Sequence, residues 1–585
     1  MTVPNRNALW ADAILDELAK AGVEAVIIAP GSRSTPLAVA AARDDRLPVY
    51  SHLDERSAAY FGLGRAKRTG VPVALVSTSG TAAVNFHPGV VEAHQSRVPL
   101  LVLTADRPPE LRESGANQTI DQVDLYGSAV RDAVDLPEPE PDSRKLRSLR
   151  TRTSRAVATA IGTPPGPVHL NVPFRKPLEP VEVADDVPPD FADNHPLAAL
   201  GRDGPFVDAT VERPSPSGDE LAELSRTVES SARGLIVTGP AESHGATRRS
   251  IVALAEASGF PVFADPLSNA RFGAARSDAT VIGGYDGFLD PASYADWPSP
   301  DVVIRFGASP TSKALRTYLS QTDARQYVVD PAGKWRETTF TASDLLVVDP
   351  NRLAERLTES LDRAPTREWH DRLREADGRH WEAVDANAGD ALEGAYVKRT
   401  VEDAPDTATI VVGNSMPVRD LDRFGRPRDA DLTVLGNRGT SGIDGTTSTA
   451  LGAGSATADP LVYVTGDLSY FHDMNGLVAL GRFDLSATVV LIDNDGGGIF
   501  HKLPIEDHEP PFTELFKTPH GLDLSASEGL YDLTYTRVDD LDEFGTAYRR
   551  SLDADGAQVV AVETDAERSH RQRESIKREV VTSLS

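Results

Sequence analysis

Residues 461–494 read LVYVTGDLSYFHDMNGLVALGRFDLSATVVLIDN and contain the pattern of a strand–helix–strand unit. Two short apolar, β-branched runs at 461–465 and 488–492 predict buried parallel strands, and the segment 474–483 between them predicts a crossover helix. Asp467 and Asn494 follow these two strands closely. Because parallel strands present their carboxyl ends at one edge of a sheet, where ligands bind, we expect the two side chains to lie close together.

The oxygen atoms at this edge are of the kind that a small divalent cation prefers. Mg²⁺ takes oxygen ligands in octahedral geometry and fills several positions with phosphate and water. A carboxylate from Asp467, an amide oxygen from Asn494 and a backbone carbonyl near Gly496 would be sufficient. Taken alone, each segment could also be an ordinary turn after a strand.

Strand and helix patterns alternate over the rest of the 585 residues. A linker rich in Pro and acidic residues at 177–196 separates the first block from the second, and a charged helical stretch at 366–398 precedes the third. We therefore predict an α/β protein with three successive parallel-sheet domains, at residues 1–180, 200–362 and 380–585. A run of small residues at 447–458 predicts a helix that packs closely on a sheet.

The charge of the chain argues against nucleic acid as a partner. Lys and Arg together number 60 against 88 Asp and Glu, which gives a net charge of −28. Only ten of the basic residues are Lys, so fifty are Arg. Such an acidic surface repels nucleic acid and is typical of proteins that work at high salt, where repulsion between carboxylates is screened.

The absence of Cys excludes disulfides, thiolate nucleophiles and cysteine-bound metals. No apolar run approaches the roughly 20 residues that span a bilayer. Residues 1–7 also lack the charged and apolar regions of a signal peptide. We expect no membrane span and a cytoplasmic location.

The spacing of Gly466-Asp467 and Asn494 resembles the signature of thiamine diphosphate enzymes, which opens with Gly-Asp-Gly and closes about thirty residues later with Asn-Asn. Leu468 replaces the third glycine and Asp495 replaces the second Asn, but the expected ligands remain. The resemblance implies thiamine diphosphate and Mg²⁺ or Mn²⁺ as cofactors. It also implies that pyrimidine-binding and diphosphate-binding domains flank a central domain.

The resemblance assigns roles at the cofactor as well. Glu55, in the segment HLDER at 52–56 after a predicted strand at 47–53, would be the catalytic carboxylate. In this family such a Glu bonds the pyrimidine nitrogen, so that the exocyclic imine can remove a proton from the thiazolium carbon. Ile443 would keep the cofactor bent. The predicted cofactor contacts are Glu55, Ser415, Ile443, Gly466, Asp467 and Asn494, and the predicted metal ligands are Asp467, Asn494 and Gly496.

Arginines recur at predicted strand ends, in the segments 30–36, 104–109, 413–419 and 436–439. Arginine suits bidentate capture of carboxylates, so several in one site would select polyanionic substrates. These segments are similar to one branch of the family, the transferases of menaquinone biosynthesis that decarboxylate 2-oxoglutarate and add the succinyl carbanion to isochorismate. That resemblance implies substrate contacts from Ser32, Arg33, Arg107, Asn117, Gln118, Lys313, Ser415, Arg419 and Arg438.

Within this set, Ser415 and Arg419 would hold the succinyl carboxylate. The family forms its site between two subunits, so we also expect a homodimer or larger homo-oligomer. Another thiamine diphosphate-dependent 2-oxo acid decarboxylase or acetolactate-type synthase is the nearest alternative. A nucleotide-binding regulatory module with a dead site and a dinucleotide-dependent oxidoreductase are further alternatives, although residues 452–457 contain only a broken dinucleotide fingerprint.

Overall fold

The computed structural model describes residues 3–211, 213–242, 244–273, 279–362 and 367–584. The chain forms two compact units that interleave along the sequence. The first unit consists of Met1–Glu212, Asn437–Thr457 and Asn475–Phe483. The second unit consists of Arg213–Gly436, Ala458–Met474 and Asp484–Ser585.

The first unit contains a six-stranded parallel sheet with the strand order β2-β1-β3-β4-β6-β5. Its strands are β1 (Val26–Ile28), β2 (Val49–Ser51), β3 (Val73–Ser77), β4 (Leu100–Asp106), β5 (Asp132–Asp135) and β6 (Val168–Pro173). Its first helices are α1 (Arg6–Lys20), α2 (Thr35–Arg43), α3 (Glu55–Thr69), α4 (Thr81–Asn85), α5 (His87–Gln95), α6 (Ser143–Ala160), α7 (Phe191–Asn194) and α8 (Pro196–Ala199).

The sequence explains why these strands lie inside the unit. Every residue of β3, β4 and β6 is buried, as expected for apolar runs in a parallel sheet covered by helices on both faces. Helix α1 buries one apolar face, with Trp10 and Ile14 fully inaccessible. The rigid centre of the sheet therefore fixes the loops that leave its carboxyl edge.

The second unit contains two further parallel sheets. The first of these has the order β12-β11-β10-β7-β8-β9, which is the order of doubly wound nucleotide-binding folds. Its strands are β7 (Gly234–Thr238), β8 (Val262–Ala264), β9 (Val281–Ile282), β10 (Val302–Phe306), β11 (Arg325–Val329) and β12 (Asp344–Leu346). The accompanying helices are α9 (Gly218–Ser230), α10 (Arg248–Ser258), α11 (Tyr285–Phe288), α12 (Pro291–Tyr294), α13 (Lys313–Ser320), α14 (Pro350–Ser360) and α15 (Arg367–Asn387).

The last sheet repeats the order of the first, as β14-β13-β15-β16-β18-β17. Its strands are β13 (Thr409–Val412), β14 (Thr433–Leu435), β15 (Leu461–Gly466), β16 (Ala487–Asp493), β17 (Leu533–Val538) and β18 (Ala557–Glu563). The helices of this region are α16 (Glu393–Asp403), α17 (Met416–Phe424), α18 (Thr446–Gly454), α19 (Asp467–His472), α20 (Val478–Phe483), α21 (Glu528–Tyr531), α22 (Leu541–Leu552) and α23 (Ala566–Leu584). Of these, α18 and α20 belong to the first unit.

The prediction of three parallel α/β sheets is confirmed, but two local predictions differ from the structure. The connection between β15 and β16 is more broken than one crossover helix, because α19 begins at Asp467 and α20 only at Val478. Helix α18 packs on helix α3, not on a sheet: a Cβ added at Gly64 would lie 1.9 Å from the Thr449 carbonyl oxygen. Glycine therefore lets two helix backbones touch at this point.

No helix in the described part of the chain is both long enough and apolar enough to cross a membrane.

Candidate active site

The predicted metal ligands lie at the carboxyl edge of the last sheet. Strands β15 and β16 pair in parallel with Gly466 beside Ile492, so Asp467 and Asn494 leave the sheet on the same side. The Gly496 backbone N–H donates a hydrogen bond of 2.8 Å to Oδ2 of Asp467. Open α/β folds bind ligands at the carboxyl ends of their strands.

Asp493 and His520, which sequence analysis did not identify as ligands, lie beside Asp467. Asp467, Asp493 and His520 offer donor atoms that all lie within 4.8 Å of one another. The His520 ring nitrogen Nε2 is 3.1 Å from Oδ2 of Asp467. Burial, together with the neighbouring Asp467 carboxylate, raises the pKa of Asp493. Two carboxylates held this close favour a cation between them.

The side chain of Asn494 is oriented by a buried carboxylate. Its Nδ2 donates to Oε1 of Glu393 at 2.9 Å, and the Thr564 hydroxyl donates to the same oxygen at 3.1 Å. Burial raises the pKa of Glu393 to about 7. The other end of the amide, Oδ1 of Asn494, is buried without a hydrogen-bond partner. A buried amide oxygen without a hydrogen-bond partner fits the oxygen ligand of a divalent cation.

The candidate substrate residues of the second unit lie at the start of α13, on α17 and just before α17. Ser415 precedes α17 with a φ of 69°, a backbone conformation that non-glycine residues rarely adopt and that often marks functional sites. Its carbonyl oxygen accepts a 2.5 Å hydrogen bond from Arg419. Arg419 and Lys313 line one cavity of about 440 Å³, so the structure brings these two predicted residues together.

Glu55 is the first residue of α3, whereas we expected it at the end of a strand. Strand β2 already ends at Ser51, and Asp54 caps the helix by accepting hydrogen bonds from the backbone of Arg56 and Ser57. Within the described part of the chain, the Glu55 carboxylate has no hydrogen-bond or ion-pair partner. A carboxylate of this kind is available to bind a ligand.

Glu55 lines a cavity of about 430 Å³ together with His52, Asn85 and Arg482. Burial, with a further contribution from the Arg482 charge, lowers the pKa of His52 to about 4. Burial therefore disfavours the protonated form of the His52 ring.

A second cluster of predicted residues follows β1 and β4 of the first sheet. The buried Arg33 guanidinium donates to the Phe174 carbonyl at 2.6 Å, and its pKa is lowered by burial and by the charge of nearby Arg107. Arg107 in turn donates to the Asn117 carbonyl. Two guanidinium groups that feel each other's charge favour an anionic ligand.

Ser32 and Gln118 lie in the loops around this cluster. Ser32 is exposed in the short 3₁₀ turn before α2, next to Arg33. Gln118 exchanges two hydrogen bonds with the loop after β3: its Nε2 donates to the Ser79 carbonyl at 3.0 Å, and the Ser79 hydroxyl donates to its carbonyl at 2.9 Å. The loops after β1, β3 and β4 thus meet at the switch point of the first sheet.

The segment that carries Arg438 and Ile443 is held by a buried glutamate that sequence analysis did not identify. Glu92 accepts hydrogen bonds from the backbone of Gly439 at 2.9 Å and of Thr440 at 2.6 Å. The Nζ atom of Lys67 lies 3.3 Å from the same carboxylate. Burial, with a smaller contribution from the charge of Arg438, lowers the pKa of Lys67. The backbone just before Ile443 is therefore held by a residue from a distant part of the sequence.

Comparison with known proteins identifies the class. A model of the thiamine pyrophosphate enzyme N-terminal TPP binding domain matches residues 10–125, a model of the middle domain matches 208–410, and a model of the C-terminal TPP binding domain matches 421–562. Thiamine pyrophosphate is another name for thiamine diphosphate. The chain belongs to the thiamine diphosphate enzymes, as its sequence motifs predicted.

Full-length relatives identify its branch within that class. Proteins named 2-succinyl-5-enolpyruvyl-6-hydroxy-3-cyclohexene-1-carboxylate synthase are 58% identical in Halobacterium salinarum and 55% identical in Haloarcula marismortui, each over 100% of both chains. The protein of that name in Roseiflexus castenholzii is 46% identical over 96% of this chain and 97% of its own. The chain is a member of this synthase family. Its kinship with halophilic archaea agrees with the salt adaptation predicted from composition.

More distant solved structures share the fold. Benzoylformate decarboxylase from Polynucleobacter necessarius superposes with a TM-score of 0.71 at 20% identity, over 95% of this chain and 99% of its own. The 4-hydroxybenzoylformate decarboxylase of Rhodococcus jostii gives the same TM-score and coverage at 18% identity. At this level of identity the likeness concerns the fold alone.

Proposed function

We propose that this protein is a transferase that uses thiamine diphosphate and Mg²⁺ to decarboxylate 2-oxoglutarate and join the remaining succinyl unit to isochorismate. The product would be 2-succinyl-5-enolpyruvyl-6-hydroxy-3-cyclohexene-1-carboxylate, of menaquinone biosynthesis. The observation that carries the proposal is the 58% identity, over the full length of both chains, to a relative named for making this product. Mn²⁺ is an alternative to Mg²⁺, and we expect the reaction in the cytoplasm.

At the metal, Asp467, Asn494 and the Gly496 carbonyl would hold the cation that anchors the cofactor diphosphate. The partnerless Oδ1 of Asn494 and the carboxylate of Asp467 support this assignment. Gly466 would contact the same diphosphate. Because Glu393 fixes the amide of Asn494, we assign it the role of a positioning residue.

At the other end of the cofactor, Glu55 would hold a proton shared with the pyrimidine ring nitrogen. Its carboxylate has no other partner in the described part of the chain, which supports this role. Ile443 would pack against the cofactor. When bound, thiamine diphosphate supplies the electron sink that decarboxylation requires.

The substrates would be bound by the two groups of cationic residues. Ser415 and Arg419 would orient the succinyl carboxylate, with Lys313 in the same cavity. The carboxylates and hydroxyl of isochorismate would contact Ser32, Arg33, Arg107, Asn117, Gln118 and Arg438. The like-charge interaction of Arg33 with Arg107 supports an anionic acceptor.

The direct test is an assay of the purified protein with thiamine diphosphate, Mg²⁺, 2-oxoglutarate and isochorismate. We expect one product molecule, identified by its mass, for each carbon dioxide released. Glu55→Gln should lose nearly all activity, whereas Glu113→Gln, at an exposed glutamate of the same unit, should retain it. Release of carbon dioxide without consumption of isochorismate would contradict the proposal and favour the simple decarboxylase.

We further propose that the active protein is at least a homodimer in which Glu55 of one subunit and Asp467 of the other serve one cofactor. Subunit exchange between inactive Glu55→Gln and Asp467→Ala proteins should then restore part of the activity. In a random mixture about half of the dimers are mixed, and each mixed dimer has one intact site. The absence of any recovery after verified exchange would rule out the shared site.

A further inference from the structure

The cavity that contains Lys313 and Arg419, here called the basic cavity, has the opposite charge balance to the molecule. Seven of its lining residues are Lys or Arg and four are Asp or Glu, although acidic residues outnumber basic ones in the chain as a whole. Excess positive charge around a confined space attracts anions. The basic cavity therefore suits a ligand with more than one negative charge.

Several cations of the basic cavity are already neutralised by carboxylates. Three of these cations are in direct contact with a carboxylate. The pairs are Arg423 with Asp286 at 2.7 Å, Lys577 with Asp290 at 3.1 Å, and Arg573 with Asp420.

Lys502 differs from these residues because, in the described part of the chain, its Nζ has neither a hydrogen bond nor an ion pair. It ends the 3₁₀ turn Gly498–Lys502, which directly follows the loop of the predicted metal ligands. Burial, and then the charges of Arg573 and Arg423, lower the pKa of Lys502 to about 8. A partly buried ammonium group without a direct partner is unfavourable unless a ligand supplies the opposite charge.

We propose that Lys502 binds the distal carboxylate of 2-oxoglutarate and so selects this diacid over 2-oxo acids with a single carboxylate. This inference rests on the proposed function, in which Arg419 contacts the same carboxylate. Both side chains line the basic cavity, and one carboxylate has enough lone pairs to accept hydrogen bonds from both. Lys502 would thus be a specificity-determining residue.

The placement of the cations favours the donor substrate over the acceptor. Lys502 and Arg419 line a cavity within the second unit. The guanidinium pair assigned to isochorismate, Arg33 and Arg107, belongs to the first unit. A role for Lys502 with isochorismate is the competing outcome, and the experiment below separates the two.

The test compares substrates that differ only in the distal carboxylate. Carbon dioxide release is measured from 2-oxoglutarate and from 2-oxopentanoate for the wild-type holoenzyme, Lys502→Met and Lys502→Arg. Loss of one charged hydrogen bond should lower kcat/KM of Lys502→Met for 2-oxoglutarate by about ten- to one-hundred-fold. Its kcat/KM for 2-oxopentanoate and its KM for isochorismate should stay unchanged, and Lys502→Arg should recover most of the loss.

Lys577→Met is the matched control, because Lys577 lines the same cavity but is paired with Asp290. Lys577→Met should change the ratio of kcat/KM for 2-oxoglutarate to kcat/KM for 2-oxopentanoate by less than about three-fold. An equal loss on both 2-oxo acids, or a raised KM for isochorismate in Lys502→Met, would overturn the inference.

Binding of unreactive acids separates this inference from the proposed function. Calorimetry of the holoenzyme with glutarate and with pentanoate should show tighter binding of glutarate in the wild type and loss of that preference in Lys502→Met. If the wild type binds glutarate through Lys502 but does not turn over 2-oxoglutarate, only the proposed function fails. If it turns over 2-oxoglutarate and Lys502→Met keeps the preference, only the inference fails.

A chemical measurement on the wild type does not depend on the folding of any variant. Reductive methylation followed by peptide mass spectrometry can follow Lys502 individually, since the chain contains only ten lysines. Saturating glutarate should slow methylation of Lys502 several-fold, and pentanoate should not. Equal methylation of Lys502 with and without glutarate would overturn the inference.

Discussion

At the scale of a single residue, the proposed metal site depends on the backbone conformation of Gly496. Its φ is +137°, and an added Cβ would lie 2.1 Å from the Lys517 carbonyl oxygen. Its N–H also donates to the Asp467 carboxylate. Any larger residue must displace the loop and therefore both the hydrogen bond to Asp467 and the carbonyl proposed as a metal ligand.

Gly496→Ala should accordingly weaken divalent cation binding by about ten-fold or more, the size of effect expected for a displaced supporting group. Binding of Mn²⁺, followed by electron paramagnetic resonance, measures this directly. Gly521→Ala is the control, because Gly521 also has a positive φ but nothing lies within 4 Å of its added Cβ. Equal Mn²⁺ affinity in Gly496→Ala and the wild type would refute the assignment of this loop.

Buried histidines make stability depend on pH, and His169 is one example. Its Nε2 lies 2.7 Å from the Thr104 hydroxyl, and burial lowers the pKa of His169 to about 4. An unfolded histidine titrates near pH 6.5. Between these values the unfolded chain binds more protons than the folded one, so the free energy of unfolding decreases as the pH falls.

His169→Gln should therefore reduce the loss of stability between about pH 6.5 and about pH 4, by on the order of 3 kcal/mol over the full window. Above about pH 6.5 this contribution to the pH dependence should vanish. Chemical denaturation at several pH values gives the slope for the wild type and the variant. His195→Gln, at an exposed histidine of the same unit, should leave the slope nearly intact, and an unchanged slope in His169→Gln would contradict the argument.

At the scale of elements, the contact between α3 and α18 depends on the absence of side chains. A Cβ at Gly64 would meet the Thr449 carbonyl at 1.9 Å, and one at Gly452 would meet the Phe61 carbonyl at 2.0 Å. Because both obstacles are backbone atoms, no side-chain rotation relieves them. Helix α3 begins with Glu55, and α18 follows the segment that contains Ile443.

Gly64→Ala should thus destabilise the first unit by about 3 kcal/mol, at the upper end of the effect of overpacking. It should also lower activity more than the loss of folded protein explains, since α3 carries Glu55. Thermal unfolding and specific activity per folded molecule provide the two measurements. Gly481→Ala is the control, because Gly481 is an exposed helical residue and nothing lies within 4 Å of its added Cβ. This variant should be neutral or slightly stabilising. Similar melting temperatures of Gly64→Ala and Gly481→Ala would rule out the tight contact.

The same elements show what could be predicted from sequence and what could not. Strands β15 and β16 were predictable because apolar β-branched runs identify buried strands, and parallel pairing then puts Asp467 and Asn494 at one edge. The packing partner of α18 could not be predicted, because a helix of small residues can pack closely on a sheet or on another helix. Only long-range packing decides between these two arrangements.

Residues that support the site were the hardest to predict. Glu92 binds backbone groups of Gly439 and Thr440, which lie 347 and 348 positions away in sequence. Glu393 binds Asn494 across 101 positions. Each of these contacts pairs a buried carboxylate with groups that have no local sequence pattern, so the pairing becomes visible only after folding. His520 joins Asp467 for the same reason.

At the scale of the whole molecule, the net charge of −28 opposes compaction. Repulsion among exposed carboxylates extends over about 10 Å at 0.1 M salt and about 3 Å at 1 M salt. Short, buried ion pairs such as that of Arg150 with Glu17, at 2.7 Å, are weakened less by salt than the long-range repulsion is. Added salt should therefore stabilise the folded protein.

We expect the melting temperature to rise by several degrees between about 0.1 M and about 1 M KCl, with most of the gain at the lower concentrations where the screening length changes fastest. A variant in which Asp45, Glu182, Asp208 and Glu359 are replaced by the corresponding amides has a smaller negative charge, −24 in place of −28. All four side chains are exposed, so this variant should melt higher than the wild type at low salt and respond less to KCl. Sucrose at matched osmolality controls for exclusion of cosolute from the surface. If sucrose stabilises as much as KCl, or if the four-amide variant responds to KCl as strongly as the wild type, charge repulsion is not the cause.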